Sequence, residues 1–495
     1  MPLESLPEAL YQAEQVRALD RCAIADHGIA GYTLMGRAGE ATLERLQARW
    51  PKARRILVFC GGGNNGGDGY VIARLALAAG LDARVVYLSD PTVLSGDAAT
   101  AWRDASAAGV PVSAFSADAV THDDEIIVDA LLGTGLERVV SGVWAQAIEV
   151  INRCPAPVVS VDIPSGLHAG TGAVLGVAVR ADITVSFIGL KTGLFTGRGP
   201  AFAGQVFFSA LQVPDAVYRS AEPVARLYRG ADRLDWLGPR DRDGHKGRYG
   251  HVLVVGGNVG FGGAARMAAE AAARAGAGLV SVALHPIHAV AQAAACPEAM
   301  FRGVNSASEL DDLARRASVL ALGPGLGRDD WARTVYRAAL GLHRPLVLDA
   351  DGLNLLAQEP SRRDDWILTP HPGEAGRLLE CETADIEADR LAAAARIQRR
   401  YGGVCLLKGA GTVVAATSDG PWICTGGNPG MASGGMGDVL TGVVAGLLAQ
   451  GLSLPVAARL GVYVHAAAAD AAAEGGERGL LARDLMPMLR RTVNP

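Results

Sequence analysis

At 495 residues the chain is too long for one ordinary core, so two or three domains are expected. With 49% hydrophobic and 20% charged residues, a net charge of −5 and no basic stripe, it has a soluble globular composition, and nucleic acid is excluded as the main partner. Seven well-separated cysteines without a C-x-x-C pair point to a reducing compartment, away from a disulfide framework or zinc site. The N-terminus has no signal-peptide pattern, and the longest mainly apolar run, 439–449, falls short of the ~20 residues that span a bilayer. A cytoplasmic location and no membrane contact are expected.

In chain order, helical spacing predicts an amphipathic helix over 7–27. Apolar runs at 56–60, 84–88, 125–129, 157–162 and 183–188 read as strands, with helices at 69–80 and 97–108 between them. Such alternation implies a parallel sheet covered on both faces. The first strand runs into GGGNNGGDGY (61–70). Gly61, Gly63 and Gly66 satisfy G-x-G-x-x-G, and Asp90 stands where a ribose-binding acid would be. The polar core Asn64, Asn65, Gly66, Gly67, Asp68 fits that fingerprint poorly, because dinucleotide binding does not call for three amide and carboxylate side chains there. Two further strand ends are loaded in the same way, 126–129 before ALLGTGLERVV and 158–162 before IPSGLHAGTG. Ligands of open parallel sheets bind beyond the carboxyl ends of strands, so Asn65, Asp68, Asp129, Asp162 and Ser165 are expected to share one crevice. Their oxygens suit a hard cation. Taken singly, Asp129 and Asp162 read rather as turn or cap residues; three loaded strand ends together favour a site.

From 212 to 250 proline, glycine and charge replace the strand pattern, which places a domain boundary near 215–230. A second strand series follows at 251–255, 279–284, 319–323, 345–349, 366–369 and 404–408, with a hairpin over 412–416 and 421–425. Its most specific loop is GGNPGMASGGMGDVLTG (426–442). Gly434, Gly435 and Gly437 let successive N–H groups turn inward, and the helix 439–449 adds its positive end, which makes an anion hole. Asp438 stands beside it, where a carboxylate can take a proton from a substrate hydroxyl; the alternative is a helix cap. No Walker loop is present. Lys408, opening KGAGT, is either a surface lysine or a nucleotide phosphate contact. His371, between two prolines in TPHPGE with Glu374, reads as a substrate contact, and His465, in an alanine-rich helix, as structural.

NNGGDGY, VDALLGTG and VDIPSG resemble the motifs of the NAD(P)H-hydrate epimerase family, the YjeF N-terminal domain, over about residues 10–215. The resemblance implies that Asn64, Asn65, Gly66, Gly67 and Asp68 hold the substrate together with Gly133, Thr134, Gly135, Leu136, Glu137, Arg138 and Val139. It implies further that Asn65, Asp129 and Ser165 bind potassium and that Asp162 acts at the reacting carbon. One departure is Gly36 in LMGRAG, where the family has a longer polar or acidic side chain. HKGRYG (245–250), GPGLG, DADGLN, LTPHPGE, LKGAGT and the loop 426–442 resemble, in order, the ADP-dependent NAD(P)H-hydrate dehydratases of the ribokinase-like superfamily. By that resemblance Ala264, Gly325, His371 and Asp438 contact the hydrated cofactor. Lys408, Gly409, Ala410, Gly411, Thr412 and Gly437 contact the adenine nucleotide, which brings magnesium. The implied fold is a Rossmann-like parallel-sheet domain over 1–218 followed by a ribokinase-like α/β domain over 225–495. The implied activity is epimerisation of R- and S-NADHX and NADPHX, with ADP-dependent dehydration of the S-form. A homo-oligomer working on small molecules is expected. The rival reading is a small-molecule kinase fused to a nucleotide-binding domain.

Overall fold

A computed structural model describes residues 6–119, 125–417 and 420–494. The chain divides into two compact units, Met1–Arg226 and Leu227–Pro495. Both are α/β.

In the first unit the apolar runs become strands Arg55–Cys60, Asp82–Tyr87, Glu125–Ala130, Val158–Val161 and Ile183–Phe187. Ile56, Leu57, Val58, Ile127 and Val159 are fully buried, since helices cover both faces of a parallel sheet and leave no polar side. Two strands of this sheet were not expected, Val112–Ala114 and Gln205–Ser209. They form the sheet edges, and the first is too short to show a period. Across the sheet the order is 112–114, 82–87, 55–60, 125–130, 158–161, 183–187, 205–209, and all neighbours are parallel. After Arg55–Cys60 the chain builds outward on one side, then returns to lay Glu125–Ala130 on the other. This reversal opens a crevice at the carboxyl ends of those two strands, where Cys60 pairs with Ala130.

Two boundaries depart from expectation. The helix expected over 7–27 is a short strand, Ala9–Tyr11, followed by the helix Ala13–Ala25. Leu10, fully buried, pairs with Leu190 on one side and Ala225 on the other, a tertiary pairing that overrides local helical spacing. The helix expected from 69 begins at Asn64 and runs to Ala78, with Gly63 as its N-cap. The polar motif is thus the first turn of a helix. Its glycines meet neighbouring backbone directly, because a Cβ at Gly61 would overlap the Leu131 carbonyl and one at Gly66 the Gly61 carbonyl.

In the second unit the sheet order is Met300–Gly303, Leu279–Leu284, His251–Val255, Val319–Leu322, Leu346–Leu348, Trp366–Leu368 and Val404–Leu407, all parallel. Thr412–Ala415 and Trp422–Cys424 continue it antiparallel, as the hairpin pattern predicts. The edge strand Met300–Gly303 was not expected. The strand order again reverses, here between His251–Val255 and Val319–Leu322. Helix Met436–Ala449, buried along most of its length, packs against helix Gly262–Arg274, and Gly442 lies so near the Ala268 carbonyl that no side chain fits. Among the described residues no helix is long and apolar enough to cross a membrane. All seven cysteines are free.

Candidate active sites

In the first unit a cleft of about 610 Å³ lies at the crevice. Residues 62–65 line one side and 131–138 the other, joined by Ser89 and Trp144. Asn64, Asn65, Gly133, Thr134, Gly135, Leu136, Glu137 and Arg138 therefore come together as expected from sequence. Gly66, Gly67 and Asp68 lie inside the helix instead, off the cleft wall, and Val139 is solvent-exposed. Asp90 does not line the cleft either. It caps the turn Pro91–Val93, accepting from the Thr92 N–H at 2.9 Å and hydroxyl at 2.7 Å, and these bonds hold its carboxyl below the usual range. The dinucleotide-fingerprint reading of this region fails on that point.

Asp129 is fully buried. It accepts from the Ser165 hydroxyl at 2.5 Å, the Ser165 N–H at 2.9 Å, the Ser160 hydroxyl at 2.8 Å and the Leu131 N–H at 3.3 Å. Burial still raises its pKa over the lowering effect of those bonds. The Ser165 oxygen also accepts from the Leu132 N–H at 2.8 Å, so Ser165 ties two strand ends together. Asn65 stands beside Gly133, and its buried amide Nδ2 has no partner.

Asp162 adopts φ 67°, the left-handed region, at the end of Val158–Val161. Its Oδ1 accepts from the Phe187 N–H at 3.1 Å and from the ammonium of Lys191. Among the described residues Oδ2 accepts no hydrogen bond. Lys191, a fully buried lysine that sequence reasoning missed, also donates to the Ser186 hydroxyl at 3.2 Å and the Phe187 carbonyl at 3.0 Å. Pairing of Tyr11 with Lys191 across the short strand Ala9–Tyr11 fixes its backbone. Two more carboxylates feel this pair. Burial, with Asp162 and Asp20 adding to it, pushes Asp68 well above the ordinary range. Burial likewise pushes Asp20, also missed, up to about 6. The one sequence signal for Lys191 was a lone lysine inside the apolar run IGLKTGLF.

In the second unit Gly325 (φ 60°) and Ala264 meet at the strand-order reversal, a Cβ at Gly325 lying 3.0 Å from that of Ala264. Helix Met436–Ala449 starts three residues earlier than expected, so Gly435 (φ 91°) is its N-cap and Asp438 sits within its first turn. Asp438 is therefore not the helix cap. Val439 donates to the Gly435 carbonyl at 3.0 Å, leaving the Met436, Gly437 and Asp438 N–H groups without an intrahelical acceptor. The Asp438 carboxylate has no hydrogen-bond or ion-pair partner among the described residues. Burial and the nearby Asp349 charge raise its pKa to about 7, against the pull of Lys408.

Lys408 is no free surface lysine. Its ammonium contacts Asp349 Oδ1 at 2.7 Å and Glu374 Oε2 at 3.7 Å. Burial pulls it down, but Asp349, Glu374 and Asp438 outweigh that and hold it above the usual lysine range. Asp349, almost fully buried, takes the Thr441 hydroxyl on its other oxygen at 2.8 Å. A Cβ at Gly437 would stand 3.4 Å from the Lys408 ammonium and 3.5 Å from Asp349, ordinary contact distances that place Gly437 directly against the ion pair. Sequence placed Asp349 in the loaded DADGL strand end without giving it a role, and Thr441 was not singled out. His371 caps helix Pro372–Leu379, its Nδ1 accepting from the Gly373 and Glu374 N–H groups. Burial and the Lys408 charge lower its pKa, which keeps it neutral. Gly409 and Ala410 are exposed at the tip of the turn, and the Thr412 hydroxyl closes it on the Gly409 carbonyl at 2.9 Å. His465 is buried, and burial holds its pKa down at about 4.

Two α/β units, one with a carboxylate–ammonium pair beside an oxygen-lined crevice, the other with a glycine-led helix N-terminus over a buried ion-pair cluster, define an enzyme with two separate sites. Residues 31–193 match the family model described as YjeF-related protein N-terminus, and residues 252–491 the model described as NAD(P)H-hydrate dehydratase. The chain is 48% identical to the bifunctional NAD(P)H-hydrate repair enzyme Nnr of Coxiella burnetii over 98% of this chain and 99% of that protein. It is 44% identical to the enzyme of that name from Escherichia coli, over 99% and 95%. Among solved structures it resembles an ADP/ATP-dependent NAD(P)H-hydrate dehydratase from Bacillus subtilis co-crystallised with ATP and Mg2+. That match has TM-score 0.50 and 28% identity, and covers 55% of this chain and 98% of that one. The chain belongs to the family of bifunctional NAD(P)H-hydrate repair enzymes.

Proposed function

We propose that this chain restores both epimers of NADHX and NADPHX to the reduced cofactor, the epimerase domain over 1–218 and the dehydratase domain over 225–495. The observation that carries the dehydratase reading is Asp438, a partly buried carboxylate without a partner, raised to about 7, at a glycine-led helix N-terminus beside Lys408. A base poised there suits proton abstraction near neutral pH.

Hydroxide is a poor leaving group and phosphate a good one. Asp438 takes the proton of the C6 hydroxyl as that oxygen attacks the terminal phosphorus of ADP, whose bridging P–O bond breaks to release AMP. The N–H groups of the first helical turn stabilise the charge on the transferring group. The C6–O bond then breaks, the ring nitrogen lone pair supporting the cation, and loss of the neighbouring C5 proton completes the dihydropyridine. Lys408, Gly409, Ala410, Gly411, Thr412 and Gly437 receive the nucleotide, and Ala264, Gly325 and His371 the hydrated cofactor. Magnesium bound with the nucleotide would neutralise phosphate charge, leaving the Asp438 carboxylate to act as the base.

In the first unit Asn64, Asn65 and Gly133 to Arg138, which line the cleft, hold the substrate. Asp162 shuttles the proton as the C6 hydroxyl leaves and water returns to the other face, and the ammonium of Lys191 on Oδ1 holds its carboxyl group in position. Asp129, Ser165 and Asn65 fit potassium. Asp129 is a fully buried carboxylate with no ion pair among the described residues. Potassium would supply the missing positive charge there. The seven free cysteines support a cytoplasmic setting. Exposed Val259, Phe261, Ile287 and Val290 support a homo-oligomer.

The test supplies mixed R- and S-hydrates with ADP and magnesium and follows reduced-nicotinamide absorbance. Complete recovery is expected from the native chain. Asp438→Asn should give none, and Asp162→Asn a stop near the S fraction. Loss of water from S-NADHX without nucleotide consumption overturns the reading.

A further inference from the structure

Beneath the turn that carries Lys408 lies a charge that the chemistry above does not use. Arg390, the first residue of helix Arg390–Tyr401, is 1% exposed, yet it is an arginine in a helix whose other buried side chains are mostly apolar. Its Nη2 donates to the carbonyls of Leu407 at 3.2 Å and Lys408 at 2.9 Å, the two residues at the strand-to-turn junction. Its Nη1 pairs with Glu387 at 3.0 Å. Gly409 (φ 140°) lies directly on the guanidinium, since a Cβ there would stand 2.7 Å from Nη2 and 3.1 Å from Cζ. Among the described residues its Nε has no partner.

A buried guanidinium is costly to desolvate, and this one leaves a donor unmet. An apolar side chain of similar length would fill the same space at less cost. What it could not do is hold two consecutive carbonyls from below, which sets both the direction of the Lys408 side chain and the left-handed bend at Gly409.

We propose that Arg390 is a positioning residue of the second site, fixing the 408–412 turn so that its backbone and the Lys408 ammonium are already in place for the adenine nucleotide. This rests on the reading that the turn receives the nucleotide. Arg390 touches no substrate atom and acts through Leu407, Lys408 and Gly409.

Steady-state dehydration of S-NADHX, measured with the full-length chain, separates the KM for ADP from the KM for the hydrate. Arg390→Met should raise the KM for ADP about tenfold, the loss expected of charge-assisted bonds, while the KM for the hydrate stays within about twofold. Arg390→Lys, which keeps the charge but not the fork, should fall between. Equal changes in both KM values, or none in either, overturn the proposal. If Arg390→Met fails to fold, Glu387→Gln decides. It keeps the arginine but frees one end of it, and a two- to fivefold rise in the KM for ADP is expected, about the value of one partly exposed pair. No rise overturns the proposal. Lys408→Met tells the two layers apart. If it leaves ADP affinity unchanged, the turn does not receive the nucleotide and both readings fall. If it weakens ADP while Arg390→Met does not, only the positioning role falls.

Discussion

Asp438 and Asp162 each lie near an ammonium, but their surroundings differ in a way that predicts different behaviour. Asp162 is in direct contact with Lys191, whereas Asp438 has no partner and is raised to about 7 by burial and by Asp349. As a base Asp438 must be ionised, so kcat/KM for dehydration should rise with pH through about 7 and level off above it. The same shift has a consequence for stability. A carboxyl whose folded pKa lies above its unfolded value favours the fold at low pH and loses that contribution as pH rises through about 7. Asp438→Asn should therefore lower dehydration about 10²–10⁴-fold yet melt higher than the native chain at pH 8, by about 2–4 °C, with the difference shrinking at pH 5. Calorimetry at the two pH values checks it. Lys191 predicts the opposite. Lys191→Met leaves Asp162, Asp68 and Asp20 without their shared cation, so epimerisation should be lost and the first unit destabilised by about 3–5 kcal/mol. Adding Asp162→Asn should restore part of the stability but none of the activity, as denaturant titration beside an R-to-S assay would show.

Among the elements, the helices carry what their residues do not announce. Asn64–Ala78 and Met436–Ala449 both begin earlier than apolar spacing indicates, because glycine and asparagine mark loops in isolation but serve as first-turn residues where N–H groups face a ligand crevice. Strands were easier to read. Their runs are continuous and apolar because both sheet faces are covered, and the strands that escaped are short or marginal ones, such as Ala9–Tyr11, Val112–Ala114, Leu190–Lys191, Gln205–Ser209 and Met300–Gly303. The Gly36 departure can be placed at this scale. Helix Gly31–Arg49 carries it, and a Cβ there meets nothing within 4 Å. Gly36→Ala should stabilise the chain by about 0.5–1 kcal/mol, the ordinary gain of alanine over glycine inside a helix, with epimerisation unchanged. Thermal unfolding and the epimerase assay together test it, and a fall in activity would show that the missing side chain is needed as a gap.

For the whole molecule, each unit has its own parallel strand series, its own strand-order reversal and its own cluster of charges at the strand ends. The Bacillus subtilis dehydratase is matched over 98% of its length by about half of this chain, so a unit of this kind occurs as a separate protein. Residues 227–495 alone should fold and dehydrate S-NADHX with kcat within about threefold of the full chain, while leaving the R-epimer untouched on the time scale of the assay. Loss of dehydration in a well-folded fragment would show that the first unit contributes to the second site.

Sequence by itself determined the α/β class, the strand series and the strand-end positions of Asn65, Asp129, Asp162, Ser165, Lys408 and Asp438. Those follow from apolar runs and from the local chemistry of the turns after them, which depend on neighbours a few residues away. Only the tertiary structure decided which charges are buried together. Lys191 against Asp162 and Asp20, Lys408 between Asp349 and Glu374, Thr441 on Asp349 and Arg390 under Gly409 join residues from separate elements. The pKa of a buried group is set by its desolvation and by the charges brought to it, and neither has a trace in local sequence.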